Sequence, residues 1–187
     1  MTRDRRTAGR QAQRSGDSFE NSVEANNRSY EMKNTALVER LRLTGRYAKG
    51  KGFVPGASPV DFVGDIKAGD RFVPVRFDCK SFAGDRWNFA DWKPGAKKAH
   101  QLTALRHVAR FGGLAFALVR QSKLKQTDRA MFGYPAWLVP LAVVEVCIRK
   151  NQWSLTVAEL DARTDEATTP TVRLRGGDWL EVAKGLL

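Results

Sequence analysis

Two short apolar segments carry charged residues whose types and spacing suit metal chemistry. Residues 60–64 contain Asp61, and residues 75–80 contain Asp78 and Lys80. Side chains alternate across a strand, so Asp78 and Lys80 point to the same side of the second segment. If the two segments pair as a hairpin, Asp61 reaches that side as well. Two carboxylates and one ammonium group would then surround a common point, as a metal-dependent phosphodiesterase requires.

The chemistry that these residues suit is phosphodiester hydrolysis. It needs an activated water, stabilisation of charge on the phosphorane and help for the leaving oxygen. Mg²⁺ supplies much of this when a few carboxylate oxygens hold it, and here Asp61 and Asp78 could do so with the backbone carbonyl of Cys79. Lys80 could orient or deprotonate the water, or stabilise the developing charge. One ion or two are both compatible with the sequence, and the alternative interpretation is a buried salt bridge.

The composition favours a partner with negative charge. The chain has 187 residues, 32 of them Lys or Arg and 20 Asp or Glu, with a net charge of +12. A basic globular chain of this size most often binds nucleic acid, with an anionic membrane surface as the weaker alternative. No apolar run of about 18 residues predicts a membrane span. Two cysteines without zinc-ligand spacing fit a reducing, cytoplasmic setting.

The amino-terminal region divides into an arm and a helix. Residues 1–15 hold five arginines and one acid, and we expect a flexible basic arm. A helix capped by Asp17 or Ser18 should follow, with Glu20 in its first turn beside the apolar face. A glutamate at this position often only complements the helix dipole.

A glycine-rich basic stretch separates the first predicted strand, residues 35–43, from Asp61. Residues 44–58 combine glycines, cations and aromatic side chains, and such a stretch is either a long surface loop or an element that follows a nucleic-acid backbone. The residues that we predict to contact DNA are Arg40, Arg42, Arg46, Tyr47, Lys49, Lys51 and Phe53, with Arg10 and Arg14 from the arm and Lys97 and Lys98 at the start of a later helix.

The remaining pattern alternates strands and helices. A turn at Gly69-Asp70 joins the two acidic segments. A helix over 97–111 should end at Gly112-Gly113, and a buried central strand should follow over 114–119. Further elements are predicted at 136–139 and 141–148. The sequence therefore predicts a single α/β domain over 16–187.

Six short motifs occur in an order that resembles RecU-type Holliday junction resolvases, bacterial or phage-encoded, of the PD-(D/E)xK nuclease superfamily. The resemblance covers about residues 16–139. The motifs are Gly16-Asp17-Ser18-Phe19-Glu20, Asn26-Asn27 with Tyr30, Ser58-Pro59-Val60-Asp61-Phe62-Val63-Gly64, Phe77-Asp78-Cys79-Lys80-Ser81, His100-Gln101 and Gly112-Gly113-Leu114-Ala115-Phe116.

The resemblance implies a fold and a set of roles. The fold would be a restriction-endonuclease-like core, a mixed central sheet flanked by helices, with residues 44–58 as a protruding basic stalk that enters the junction centre. Glu20 would add an acid to the metal site, Asp61 and Asp78 would be direct ligands, Lys80 would be the catalytic lysine, and Gln101 would support the site. His100 would be only a weak candidate for a metal ligand, because a lone histidine is more often structural. The pattern of the family favours Gln101 instead.

Two positions depart from the pattern of that family. Asp78 stands where Glu is common, so the shorter side chain changes the reach to the metal. Pro59 stands where Thr is common, so any contact through that hydroxyl is absent. Neither change removes the ligand set.

The expected function is paired, Mg²⁺-dependent hydrolysis of four-way DNA junctions, with Mn²⁺ as a substitute ion. A junction has approximate two-fold symmetry and needs two matched cuts, so a homodimer is expected. The expected location is cytoplasmic and nucleoid-associated. The alternatives are a nuclease of the same fold that cuts ordinary duplex in restriction or repair, and a basic DNA-binding protein without catalysis.

Overall fold

A computed structural model describes residues 2–41, 45–48, 52–55, 58–123, 135–162, 171–174 and 178–187. Side chains are described from Gly16 onward, except those of 45–48 and 52–55. Among the described residues, no helix is both long enough and apolar enough to cross a membrane.

Helices and strands alternate along the chain. The helices are α1 (Thr2–Met32), α2 (Ala99–Arg110), α3 (Leu141–Arg149), α4 (Val157–Asp161) and α5 (Leu180–Lys184), with a 3-10 turn over Ala90–Trp92. The strands are β1 (Ala36–Arg40), β2 (Gly45–Ala48), β3 (Gly52–Pro55), β4 (Phe62–Ala68), β5 (Arg71–Ala83), β6 (Arg86–Asn88), β7 (Leu114–Lys123), β8 (Ala136–Pro140), β9 (Ser154–Thr156) and β10 (Val172–Arg173).

The centre of the fold is a mixed six-stranded sheet in the order β1-β4-β5-β7-β8-β10. The β5 and β7 strands run parallel, and every other neighbouring pair in this sheet is antiparallel. A parallel pair needs a crossover connection, and α2 lies within the one between β5 and β7. The sheet is therefore the mixed α/β sheet that the sequence predicts.

Helices cover both faces of this sheet. On one face, Phe19 and Val23 of α1 pack with Phe77 and Phe116. On the other face, α2 and α3 pack against alternate residues of β7 and β8. The unbroken apolar run at the start of β7 is explained by this arrangement, because a central strand buries both of its faces.

The first helix is longer than the sequence predicts. It begins at Thr2, so the predicted start at Asp17 or Ser18 is wrong. The segment before Gly16 contains no proline and is rich in Arg, Gln and Ala, which favour helix, and an isolated glycine costs only about 1 kcal/mol. The proposed role of residues 1–15 as a separate DNA-contacting arm stays a prediction.

The glycine-rich stretch forms a small antiparallel sheet of its own. Strands β2 and β3 pair from Gly45 opposite Pro55 to Ala48 opposite Gly52. The protruding stalk over 44–58 stays a prediction. Residues 42–44, 49–51 and 56–57 lie outside the described part of the chain.

The carboxyl-terminal segment, for which the sequence predicts no role, completes one face of the core. Trp179 is fully buried, and its ring lies 4.9 Å from that of Phe77 and 5.7 Å from that of Phe116. Its indole N–H donates to Asn27 Oδ1 at 3.1 Å. This segment therefore holds α1 against the sheet.

Candidate active site

The β4–β5 hairpin brings the two acidic segments together as predicted. The register places Phe62 opposite Phe77, so Asp61 lies just before β4 and beside Asp78. The turn falls at Gly69, with a φ of 62°, which suits a glycine. Strand β1 lies so close to the other side of β4 that a Cβ at Gly64 would collide with the backbone of Leu37.

Asp78 is the most enclosed charged residue of the site. Its side chain is 0% exposed, and its Oδ1 accepts a hydrogen bond from Gln101 Nε2 at 2.9 Å. Its Oδ2 forms an ion pair with Lys80 Nζ but accepts no hydrogen bond of regular geometry. A buried carboxylate oxygen with spare acceptor capacity is suited to a hard cation.

Lys80 is largely buried and has several charges nearby. Burial is the main reason that its pKa falls, to about 8, while Asp61 opposes the fall and Lys98 adds to it. Its Nζ donates to Gln101 Oε1 at 3.3 Å and lies 5.9 Å from the centre of the Trp92 ring. The ammonium group can therefore lose its proton nearer to neutral pH than an ordinary lysine.

Asp61 is joined to β5 through the backbone. The Cys79 N–H donates to Asp61 Oδ2 at 2.8 Å. Burial raises the pKa of the Cys79 thiol well above its usual range, so that side chain stays neutral. Any contribution of Cys79 to a metal would thus come from its carbonyl, as the sequence analysis supposes.

Glu20 reaches the site from α1 and is paired with a cation. Arg40 of β1 forms an ion pair with Glu20, and its guanidinium also donates to Asn21 Oδ1 at 3.0 Å. Burial and the negative charge of Asp61 raise the pKa of Glu20, whereas Arg40 lowers it. Arg40, which the sequence predicts to contact DNA, therefore has an acidic partner on α1 that the sequence pattern does not indicate.

A cavity of about 750 Å³ lies beside these groups, and Glu20, Arg40, Ser58 and Asp61 line it. His100 Nε2 donates to the Ser58 carbonyl at 3.0 Å, so this histidine supports the segment that leads to Asp61. This contact of His100 is structural.

The donor set fits a hard divalent cation. In the described residues, no three His, Cys, Asp or Glu side chains are already gathered as a metal cage. Asp61 is near enough to Glu20 to raise its pKa and is bonded to the Cys79 N–H next to Asp78, and oxygen ligands with open positions are what Mg²⁺ prefers. Lys80 and Arg40 now neutralise two of these acids.

Only some of the other residues predicted to contact DNA have side chains that the structure describes. Lys98 is half-buried and near enough to Lys80 to lower its pKa, whereas Lys97 is exposed. The structure describes the backbone but not the side chains of five of them: Arg10, Arg14, Arg46, Tyr47 and Phe53. Three more lie outside the described residues: Arg42, Lys49 and Lys51.

One residue of the site is missing from the sequence analysis. Trp92 is buried, and its indole N–H donates to Gln101 Oε1 at 3.2 Å. The Asp-Trp-Lys-Pro sequence indicates only a turn. The signal that could have identified Trp92 is its position nine residues before Gln101, where a short turn can bring the indole N–H to the amide.

The mixed sheet and the acid followed by D-x-K on the next strand are the arrangement that the resemblance implies for a nuclease core. The sequence model of the family described as RecU, Recombination protein U, matches residues 14–135. The chain belongs to this family of Holliday junction resolvases, which confirms the resemblance. No curated protein matches the chain.

One similar solved structure is Hjc from Archaeoglobus fulgidus, a Holliday junction resolvase. It shares 14% identity with this chain, and the match covers 90% of this chain and 99% of that one, with a TM-score of 0.38. This geometric similarity is too low to bear on the activity of the chain.

Proposed function

We propose that the chain is a structure-selective, Mg²⁺-dependent endonuclease that resolves four-way DNA junctions. The observation that carries the proposal is the convergence of Asp61, Asp78 and Lys80 at the β4–β5 hairpin, with Gln101 hydrogen-bonded to Asp78. Family membership supplies the substrate class.

The protein groups have separate tasks in this reaction. When bound, the metal would supply charge stabilisation and an acidified water, and Asp61, Asp78, Glu20 and the Cys79 carbonyl would hold it. Lys80, with a pKa of about 8, can give or take a proton near the attacking water or stabilise charge on the phosphate.

Binding rests on charge and shape. The net charge of +12 favours a polyanion, and phosphate contacts fix position without reading sequence. The β2–β3 hairpin would enter the junction centre, while Lys97 and Lys98 at the start of α2 would face a phosphate near the site. Steep weakening of binding with salt is expected.

The functional unit would be a homodimer. Two matched cuts on a nearly two-fold symmetric junction require two equivalent sites, and a C₂ dimer presents them. The substrate would be chromosomal or phage DNA in the cytoplasm. Mn²⁺ would be able to substitute for Mg²⁺ in supporting cleavage.

An Asp61→Asn variant tests the catalytic proposal. Asparagine keeps an oxygen for the Cys79 N–H, so the variant should fold and bind junction DNA within about threefold of the wild type, while Mg²⁺-dependent cleavage falls at least about a hundredfold. Asp65→Asn, at an exposed acid of β4 four residues after Asp61, is the matched control. A wild type that binds junctions tightly and cuts none would leave only the DNA-binding alternative.

A further inference from the structure

The Gln101 side chain has different partners at the two ends of its amide. Its Nε2 donates to Asp78 Oδ1 at 2.9 Å. Its Oε1 accepts from Trp92 Nε1 at 3.2 Å and from Lys80 Nζ at 3.3 Å. Gln101 is 6% exposed, so water offers little alternative to these partners.

These partners do not tolerate the reverse orientation of the amide. An indole N–H only donates, and an ionised carboxylate only accepts. A reversed amide would place N–H against the Trp92 N–H and C=O against the Asp78 carboxylate, leaving buried groups unpaired. The Lys80 ammonium can move on its flexible stem, whereas the Trp92 ring is enclosed on all sides.

We propose that Trp92 is a positioning residue: its indole N–H holds the Gln101 amide in the orientation that donates to Asp78. The proposal rests on the proposed nuclease function and adds a residue to it. Trp92 acts through Gln101 on the carboxylate that would hold the metal.

The local structure keeps Trp92 and the start of α2 in a fixed relation. The Trp92 N–H donates to the Phe89 carbonyl at 3.0 Å, closing the 3-10 turn. The Lys98 N–H donates to the Asp91 carbonyl at 3.1 Å, which ties the residue before Trp92 to the start of the helix that carries Gln101. Donor and acceptor are thus set by backbone as well as by side-chain packing.

A neighbouring tryptophan provides a matched control. Trp87 is 2% exposed, and its ring is T-shaped to that of Trp92 at 5.9 Å, in the same aromatic cluster. Trp92→Phe and Trp87→Phe each remove an indole N–H and a similar apolar area. Trp92→Phe alone removes the donor to Gln101, and it retains an aromatic ring near Lys80.

The first measurement is single-turnover cleavage of a four-way junction with Mg²⁺. Trp92→Phe should lower the cleavage rate constant about tenfold, with junction affinity within about twofold of the wild type, as outer-shell changes do. Trp87→Phe should stay within about threefold. In a Gln101→Met background, Trp92→Phe should change the rate by less than about twofold, since residues that act as a unit are not additive.

The second measurement does not depend on cleavage. In the metal-free protein, the ¹⁵N-¹H side-chain amide signals of Gln101, identified by their loss in Gln101→Met, should shift or broaden in Trp92→Phe and stay in place in Trp87→Phe. Equal spectra and equal rates for the two tryptophan variants would overturn the positioning role. A wild type that cuts no junction overturns the proposed function instead, and the spectra still decide the orientation of the amide.

A second variant covers the case in which Trp92→Phe does not fold. Gln101→Glu keeps acceptors for Trp92 and Lys80, and its ionised carboxylate has no hydrogen to donate to Asp78. The proposal expects its cleavage rate to fall at least about tenfold. An unchanged rate would show that donation to Asp78 has no role, and would overturn the proposal.

Discussion

The backbone N–H of Cys79 donates to Asp61 Oδ2 at 2.8 Å, so the acid that precedes β4 is fixed to the middle of the D-x-K segment on β5. One oxygen of Asp61 is thereby oriented by the sheet itself. This hydrogen bond holds the carboxylate in one position in the metal-free protein. Binding of a metal would then cost less side-chain conformational entropy.

The first prediction concerns the charge of Asp61. Its negative charge is the second cause, after burial, of the raised pKa of Glu20. In metal-free Asp61→Asn protein, the Glu20 pKa should therefore be lower than in the wild type, measured by ¹³C NMR of the carboxyl carbon. Asp65→Asn should leave it unchanged, and an unchanged value in Asp61→Asn would show that the two acids do not interact.

The second prediction concerns Arg40, which lowers the Glu20 pKa. Arg40→Met should raise that pKa further and reduce the free energy of unfolding at pH 7 by about 2 kcal/mol, since a charge-assisted hydrogen bond is lost. Because the folded protein then holds the Glu20 proton more tightly than the unfolded chain, stability should fall as pH rises from the unfolded pKa through the folded one. Urea midpoints at pH 4 and pH 7 measure this.

The control for that experiment is Arg28→Met. Arg28 pairs with Glu24 at 3.0 Å on the surface of α1, with a side chain that is 70% exposed. An exposed pair of this kind contributes about 0.5 kcal/mol or less. Equal losses in the two variants would contradict a special role of Arg40 beside Glu20.

The third prediction concerns Lys80. Its pKa of about 8 in the fold lies below the ordinary lysine value, so the unfolded chain binds more protons between those two pH values. Stability should rise with pH across that window, and Lys80→Met should remove this part of the rise. Urea unfolding of the metal-free protein at pH 8 and pH 10 measures the slope. Lys67→Met, an exposed lysine on β4, should keep the wild-type slope.

The fourth prediction concerns the β2–β3 hairpin. Replacing residues 45–55 with a short Gly-Ser link should leave the six-stranded sheet folded, because the hairpin pairs within itself. Loss of its basic residues should lower the affinity for four-way junctions at least about tenfold and reduce the salt dependence of binding. Duplex affinity should change less. Equal losses for both DNA forms would argue against a stalk that selects the junction.

The fifth prediction concerns the carboxyl-terminal segment. Trp179→Ala should reduce the free energy of unfolding by about 3–5 kcal/mol, as removal of a buried aromatic side chain does. Trp179→Phe keeps most of the packing and loses the bond to Asn27, so about 1 kcal/mol is expected. Urea denaturation tests both. A loss below about 1 kcal/mol for Trp179→Ala would show that this segment is not part of the core.

The sequence predicts the part of the site that depends on neighbouring strands. Asp61, Asp78 and Lys80 follow from strand periodicity and one hairpin turn, both of which are local. The buried central strand β7 follows from its apolar run. The resemblance to the family adds Glu20 and Gln101, which come from helices distant in sequence; Gln101 donates to Asp78, and its supporting role stays a prediction.

Features that depend on distant pairing are missed. Strand β6 pairs with β9, more than sixty residues later, and residues 86–88 look only like a polar loop in the sequence. The partner of Arg40 on α1 and the indole donor of Trp92 likewise require the packed structure. The early start of α1 is missed for another reason, because charge and low hydrophobicity suggest an arm although the helix propensity is favourable.

The central claim is selection of a four-way junction by a metal-dependent nuclease. The most direct test compares cleavage rates of a synthetic four-way junction and a linear duplex of the same arm sequences, with Mg²⁺ and with Asp61→Asn as the inactive control. We expect Mg²⁺-dependent, paired cuts in the junction at a rate at least about tenfold above that of the duplex, as recognition by shape requires. Equal rates on the two substrates would contradict it and favour a nuclease of ordinary duplex.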